Sequence, residues 1–287
     1  MTARSGKYGS NDARGRGFIV GMKRIQIVTG ASSGLGKEFV LQLSKERPCD
    51  EIWLLARRTE KLHAVSRELD AAGIRSCVIS VDLTGRRGVA AFGALLEDAC
   101  RSCGESGFVV DTLVNNAGFG TYGTFTGTNM DRQLDMIELN AVALTGLCHV
   151  VLRYMMRGSV IINVASLASF IPLGNFAVYG ATKAYVLSFS TALAAEVADD
   201  GVFVSTICPG PVDTEFAYIA SNGARERVVD GKDPAAVVAH CLRSIRRGKH
   251  SSVMAWKWKI KAFLSRFVGR YFYARYSFIH EKRPSQK

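Results

Sequence analysis

Histidine is sparse in this chain. Its five copies, His63, His149, His240, His250 and His280, have no spacing that gathers a zinc site. Seven cysteines form an odd, unpatterned set, which excludes a disulfide framework and favours a reducing compartment such as the cytoplasm. Cys100 and Cys103 make a single CxxC with no second pair and read as incidental thiols at a helix end. Six prolines in 287 residues leave no proline-rich linker to divide domains. No uninterrupted apolar run reaches the ~18–20 residues of a membrane-crossing helix. Residues 1–21 are rich in Ser, Gly and Arg, and their longest apolar stretch is Phe18-Ile19-Val20, too short for a secretory signal. They read as a flexible extension. What the chain does have is apolar mass: 48% hydrophobic residues and a mean hydropathy of +0.10. That excludes disordered and collagen-like chains and supplies a sizeable core.

Acid is scarce only at the ends. Residues 1–24 hold six Lys/Arg against one acid, and residues 240–287 hold thirteen against one, within a net charge of +12. The middle is therefore mildly acidic. Such asymmetry points to an anionic partner for the ends, a membrane surface rather than nucleic acid, for which no binding module is present.

Between the ends, short apolar strands alternate with amphipathic helices. Strands are predicted at Ile25–Val28, Glu51–Leu55, Cys77–Val81, Val109–Val114, Val160–Val164, Val202–Ile207 and Ser251–Met254. Helices are predicted at Leu35–Ser44, around Leu62, Val65 and Leu69, and at Val89–Cys100, Met130–Met156, Val178–Val197 and Asp233–Arg246. Solid apolar strands separated by helices imply a parallel sheet covered on both faces. The expected fold is a single-domain, doubly wound α/β Rossmann fold with seven strands over residues 22–256, followed by a basic amphipathic segment at 257–287.

Glycines cluster in Thr29-Gly30-Ala31-Ser32-Ser33-Gly34-Leu35-Gly36, at the junction of the first strand and helix. Glycine there allows a tight turn and close backbone approach, and the helix N-terminus offers N–H groups to a pyrophosphate. Further along stand Asn115-Asn116-Ala117-Gly118, Ser166, Tyr179-x-x-x-Lys183, and Pro209-Gly210 with Val212 and Thr214. The order and spacing of these motifs, from Thr29 to Thr214, resemble the short-chain dehydrogenase/reductase family, and within it hydroxysteroid dehydrogenases and 3-ketoacyl reductases. The resemblance implies a nicotinamide dinucleotide held by Gly30, Ser32, Ser33, Gly34, Leu35 and Gly36. It adds contacts from Asp82, Leu83, Asn116, Ala117, Gly118, Tyr179, Lys183, Pro209, Gly210, Val212 and Thr214. Asp82 has a second reading, as a cap on the next helix.

Cofactor choice turns on the end of the second strand. Ala56 cannot bind a ribose 2′-hydroxyl, whereas Arg57 and Arg58 carry guanidinium groups suited to a 2′-phosphate. NADP(H) is expected, with Arg57 the nearer partner.

Tyr179 and Lys183 are four apart, so they share a helix face. A free tyrosine titrates near ~10, and lowering it to about 7 requires roughly 4 kcal/mol of differential stabilisation. A neighbouring ammonium and an oxidised nicotinamide ring both favour the phenolate. The resemblance implies Tyr179 as general acid/base, Ser166 as the hydrogen-bond partner of the reacting oxygen, and Lys183 on the ribose hydroxyls. Asn140 would support a proton-relaying water.

Phe119, Tyr122, Leu167, Phe170, Phe216 and Tyr218 are candidate substrate walls, mostly apolar and without an arginine cluster. They point to a bulky apolar ketone or alcohol, a hydroxysteroid first and a 3-ketoacyl thioester next. A different reading is a catalytically silent NADPH-binding or membrane-recruited sensor on the same fold. Trp256, Ile260, Phe263, Leu264, Phe267, Tyr271 and Phe278 fall on one helical stripe flanked by Lys259, Arg266 and Arg270, a pattern for peripheral membrane contact or for packing on protein. The family resemblance implies a homodimer or homotetramer formed through the two long helices.

Overall fold

Alternate residues of a strand face opposite sides of a sheet, so a strand apolar at every position must be covered twice. Trp53 and Leu55 pack into the core on one side, Ile52 and Leu54 into the core on the other. Such burial contributes about 1.5–3 kcal/mol per large side chain. A computed structural model describes residues 22–287 apart from 105, 106, 227, 229, 282, 284, 286 and 287. The expected N-terminal extension lies outside the described residues.

The chain runs β1 (Lys23–Thr29), α1 (Gly34–Glu46), β2 (Glu51–Ala56), α2 (Thr59–Asp70), β3 (Ser76–Ser80), α3 (Gly85–Ser102) and β4 (Phe108–Asn115). Then come α4 (Met130–Ile137), a π-helical turn (Glu138–Ala143), α5 (Leu144–Leu152), β5 (Val160–Val164), α6 (Ala177–Glu196) and β6 (Phe203–Ile207). The remainder is α7 (Phe216–Ala220), α8 (Pro234–Arg246), β7 (Ser251–Ser252), α9 (Trp256–Leu264) and α10 (Arg270–His280). All seven strands are parallel, in the order β3-β2-β1-β4-β5-β6-β7. This is the Rossmann-type sheet expected from the sequence. Asp233 caps α8, accepting from Ala235 N and Ala236 N at 3.3 and 3.1 Å ahead of the first-turn proline.

Two helical expectations need correction. The stretch predicted as one helix to Met156 ends at Leu152 and is widened by the π-turn at Glu138–Ala143. Although no unbroken apolar run exists in it, Met130–Leu152 is long and apolar enough by length and composition to cross a membrane. Its apolarity has another use here: Leu144, Leu147 and Val151 are buried on the sheet. The second correction concerns the C-terminal stripe, which is two helices. After Leu264 the chain turns, and α10 begins at Arg270 behind Gly269. Separate backbone bonds close the turn, Arg266 N to Phe263 O at 3.2 Å and Phe267 N to Leu264 O at 2.9 Å. Residues that a continuous helix would align are therefore divided between two axes.

Candidate active site

From β1 the sheet grows outward through β2 on one side and β4 on the other. The connections leave the carboxyl ends of β1 and β4 in opposite directions and open a crevice, the place where ligands bind in open α/β sheets. A cleft of about 1010 Å³ lies there.

Its floor is the glycine turn. Gly30 has φ +64°, a conformation that disfavours any side chain. Gly36 does not line the cleft. It sits beneath, where a Cβ would come within 2.1 Å of the Gly30 carbonyl oxygen. This close approach brings the start of α1 up to the cleft beside Ser32, Ser33, Gly34 and Leu35. Ser33 caps α1 without a side-chain hydrogen bond, and no acid occupies the first turn, so the positive helix end faces the cleft uncompensated. The turn is braced from β4. Asn116 N and Ala117 N both donate to Thr29 Oγ1 at 2.9 Å, and Asn116 Nδ2 donates to the Thr29 and Gly30 carbonyls at 3.0 and 3.2 Å. Asn116, Ala117 and Gly118 then continue the cleft wall. A cradle this tight, with free helix-end donors, fits a dinucleotide pyrophosphate.

Arg57 and Arg58 both line the cleft, but Arg58 is the one engaged. Its Nη2 donates to Ser33 Oγ at 2.8 Å and Ser32 Oγ at 3.1 Å, and its Nη1 to Glu215 Oε2 at 2.7 Å. Glu215 also accepts from Lys61 Nζ at 2.5 Å. The Lys61 hydrogen bond and the Arg58 pair outweigh partial burial and hold the Glu215 carboxyl down at about 2. Asp82 and Leu83 line the cleft beside the two arginines, from the end of the neighbouring β3. Asp82 Oδ1 accepts from Thr84 Oγ1 at 2.6 Å and Thr84 N at 3.0 Å. The Thr84 hydroxyl thereby holds this carboxyl below its usual range. Asp82 makes a local turn; the cap residue of α3 is Thr84. Pro209, Gly210, Val212 and Thr214 complete the far wall, with a Thr214 methyl 3.0 Å from where a Gly34 Cβ would stand.

Ser166, Tyr179 and Lys183 reach the same cleft from two elements. Ser166 follows β5 and caps a short 3-10 turn at Leu167–Ser169, its Oγ accepting from Ala168 N at 3.2 Å while Ser169 Oγ accepts from Ser166 N at 3.3 Å. Ser169 Oγ also donates to the Lys183 carbonyl at 2.7 Å, tying this turn to α6. Ser166 and Tyr179 both line the cleft, and Ser166 favours the phenolate of Tyr179. Phe176 stacks on the Tyr179 ring at 4.1 Å and Phe216 leans on it at 5.4 Å. Lys183 Nζ donates to the Val164 carbonyl at 2.7 Å and lies 5.7 Å from the Tyr179 ring centre.

The electrostatics differ from the simple expectation of a phenol acidified by its lysine. Burial dominates both groups. It pushes the Tyr179 hydroxyl well above its ordinary value, against the opposing influence of Ser166, and pulls Lys183 down to about 8. Asn140 is buried but does not line the cleft. Its Oδ1 accepts from Phe119 N at 3.1 Å, and its Nδ2 donates to Phe119 O at 2.9 Å and Thr182 Oγ1 at 3.2 Å. It stands within the π-turn and staples the loop after β4 to the helix carrying Tyr179.

Residues 24–223 match the family model described as short chain dehydrogenase. The chain belongs to the short-chain dehydrogenase family. It is 35% identical over 198 residues to hydroxysteroid dehydrogenase-like protein 1 of Gallus gallus, covering 67% of this chain and 57% of that one. It is 32% identical over 188 residues to a very-long-chain 3-oxoacyl-CoA reductase of Coprinopsis cinerea, covering 63% and 52%. The match thus spans little more than half the length of these two relatives. Among solved structures, a short-chain dehydrogenase from Sphingobium yanoikuyae in complex with NADPH is 25% identical with a TM-score of 0.72, covering 92% of this chain and 98% of that one.

Of the residues expected to form a substrate wall, Phe119, Tyr122, Leu167, Phe170 and Phe216 line the cleft. Tyr218 does not; it is 54% exposed on the outer side of α7. The α7 helix turns Phe216 and Ile219 inward, and at 100° per residue Tyr218 cannot join them. Phe176, with Tyr122 packed on it at 4.8 Å, was not foreseen. The stretches expected to form the wall carry no arginine cluster, yet single arginines reach it from elsewhere in the chain. Arg132, Arg225 and Arg283 line the cleft, standing over Phe119, Tyr122 and Phe176 at 5.2, 5.7 and 5.7 Å. They come from α4, the segment after α7 and the chain beyond α10, places that no strand-end argument reaches. Trp258 and Lys261 of α9 add a further wall. No disulfide or metal-binding group of residues occurs among the described residues, and Cys100 and Cys103 pack against the core at the end of α3.

Proposed function

We propose that this chain is an NADP(H)-dependent oxidoreductase that interconverts a ketone and a secondary alcohol. The observation that carries this reading is the meeting of two groups in one cleft. Ser166, Tyr179 and Lys183 face it from β5 and α6, and the Gly30–Gly36 turn with Arg58 approaches it from β1 and β2. The bound nicotinamide dinucleotide supplies or takes the hydride. Tyr179 Oη donates a proton to the carbonyl oxygen during reduction and receives one from the alcohol during oxidation. Ser166 Oγ donates a hydrogen bond to that oxygen and holds it beside the phenol. Lys183 holds the ribose hydroxyls, and Asn140 positions the Phe119 loop against α6. Arg58, aided by Lys61 and Arg57, binds the 2′-phosphate, and Ala56 leaves no carboxylate at the strand end to repel it.

The aromatic wall of Phe119, Tyr122, Phe176 and Phe216 supports a bulky apolar ketone, a hydroxysteroid first and a 3-ketoacyl thioester next. The seven free cysteines support a reducing compartment, the cytoplasm. Exposed Leu134, Ile137 and Tyr185 on the long helices support a homodimer or homotetramer built through them. The test is NADPH consumption by the purified protein with a panel of steroid ketones and 3-ketoacyl thioesters, beside NADH. Tyr179→Phe should retain NADPH binding and lose turnover by at least a hundredfold. Full turnover in that variant would refute the assignment.

A further inference from the structure

Between Phe263 and Phe272 the chain rounds the tip of the α9–α10 hairpin. Six large apolar residues are exposed there: Phe263, Leu264, Phe267, Val268, Tyr271 and Phe272. Phe267, Tyr271 and Phe272 are 73%, 82% and 67% exposed, and Trp256 at the base is 75% exposed. An apolar tip of this density is far outside the scattered exposure normal for a soluble surface. Arg266 and Arg270 are exposed among these residues, and Lys257, Lys259 and Arg275 flank them. From Pro234 to His280 the chain has ten Lys/Arg and no acid.

The hairpin is also fixed to the cleft. Gly174 N donates to Ser277 Oγ at 2.7 Å, Asn175 Nδ2 to the Phe278 carbonyl at 3.2 Å, and Arg283 Nη1 to the Gly174 carbonyl at 2.8 Å. A Cβ on Gly174 would meet the α10 backbone at 2.6 Å. These contacts hold α10 on the loop that leads into Tyr179, while Trp258 and Lys261 of α9 form cleft wall. One side of the hairpin is therefore pocket and its tip is free.

We propose that the α9–α10 hairpin tip docks on an anionic lipid bilayer and sets the mouth of the cleft against it. At nine and eleven residues the two helices are roughly 14 and 17 Å long, too short to cross ~30 Å of hydrocarbon, so the contact is peripheral. Aromatic side chains enter the headgroup layer and the arginines meet lipid phosphates. A second copy of this chain fits the tip poorly. Two-fold pairing brings Arg266 and Arg270 against their own copies, and the segment has no acid to answer them. A membrane-dissolved ketone would then enter beside Trp258; this part rests on the reductase reading, whereas the docking itself does not.

The experiment is sedimentation of the full chain with phosphatidylcholine vesicles, with and without phosphatidylserine. Binding should require the anionic lipid and fall as salt rises. Arg266→Gln with Arg270→Gln should weaken it roughly 30-fold at about 1 kcal/mol per charge. Phe267→Ser with Tyr271→Ser and Phe272→Ser should abolish it, with thermal stability and NADPH affinity unchanged because these side chains are exposed. No binding to anionic vesicles overturns the proposal, as does binding that the serine variant retains. Conversion of a dimer to a monomer by the serine variant, without lipid binding by the parent, assigns the tip to self-association instead and also overturns it. With a ketone that partitions into vesicles, the serine variant should lose turnover there and keep it on a water-soluble ketone. Loss on both would overturn the entry route and leave the docking result to stand on its own measurement.

Discussion

Lys183 is a buried charge whose position serves the cleft at the expense of the fold, and its replacement by Met measures that conflict. Burial lowers its pKa from 10.5 to about 8, which corresponds to roughly 3 kcal/mol of stability. Below about pH 8 the amine is protonated in both the folded and unfolded states, and the fold carries the full desolvation cost. Between about 8 and 10.5 the unfolded chain holds the extra proton, so stability rises with pH. Above both values the cost has gone. Lys183→Met removes this titration and also the hydrogen bond to the Val164 carbonyl, a loss of about 1 kcal/mol. The variant without cofactor should therefore be about 2 kcal/mol more stable than the parent at pH 7. By pH 10.5 about 0.4 kcal/mol of that cost is left and the order should reverse, with the variant about 0.6 kcal/mol less stable. Urea unfolding of both proteins at pH 7, 8.5 and 10.5 checks this, because titrating groups that do not interact with Lys183 cancel in the difference. NADPH should stabilise the parent and much less the variant. A variant less stable at pH 7, or a difference that does not change with pH, would refute the reasoning.

Glu215 lies where a cofactor phosphate would compete for Arg58 and Lys61. Both ion pairs are half-exposed, so Glu215→Gln should tighten NADPH binding by about fivefold and leave NADH nearly unchanged in a fluorescence titration. Equal tightening of both cofactors would remove Glu215 from the phosphate site. Gly36→Ala forces a methyl against the Gly30 carbonyl, and dinucleotide binding should fall more than tenfold together with the melting temperature. Normal binding in that variant would show that the turn can relax. Asn140→Ala leaves the Phe119 N–H and carbonyl without partners and should cost about 2 kcal/mol in urea unfolding; a change under about 0.5 kcal/mol would mean water replaces the bridge.

The strands were legible because each is a solid apolar run, and a run buried on both faces needs no tertiary information to be recognised. The glycine turn and the Tyr179–Lys183 pair were legible because their chemistry is local, within one turn or one helical step. Glu215, Lys61 and Arg225 were not, since their meanings arise from contacts across the fold. Glu215 lies 157 residues from Arg58. The preference for Arg57 over Arg58 followed distance along the chain, whereas the hydroxyls of Ser32 and Ser33 select the second arginine. The break between α9 and α10 was hidden by a helical stripe that runs through it. Periodicity records which residues would align on a helix, and it is silent about whether the helix continues through Gly269.

The widened turn at Glu138–Ala143 interrupts a face that the sequence keeps in α-helical register on both sides. Met136, Asn140, Ala143, Leu147 and Val151 stand at steps of four, three, four and four, the spacing that shares one side of a helix, and all are buried. A π-turn accommodates about one residue more than an α-turn. The apolar pattern thus needs no change of phase to cover the sheet, and the local unwinding falls where the Asn140 amide reaches Phe119.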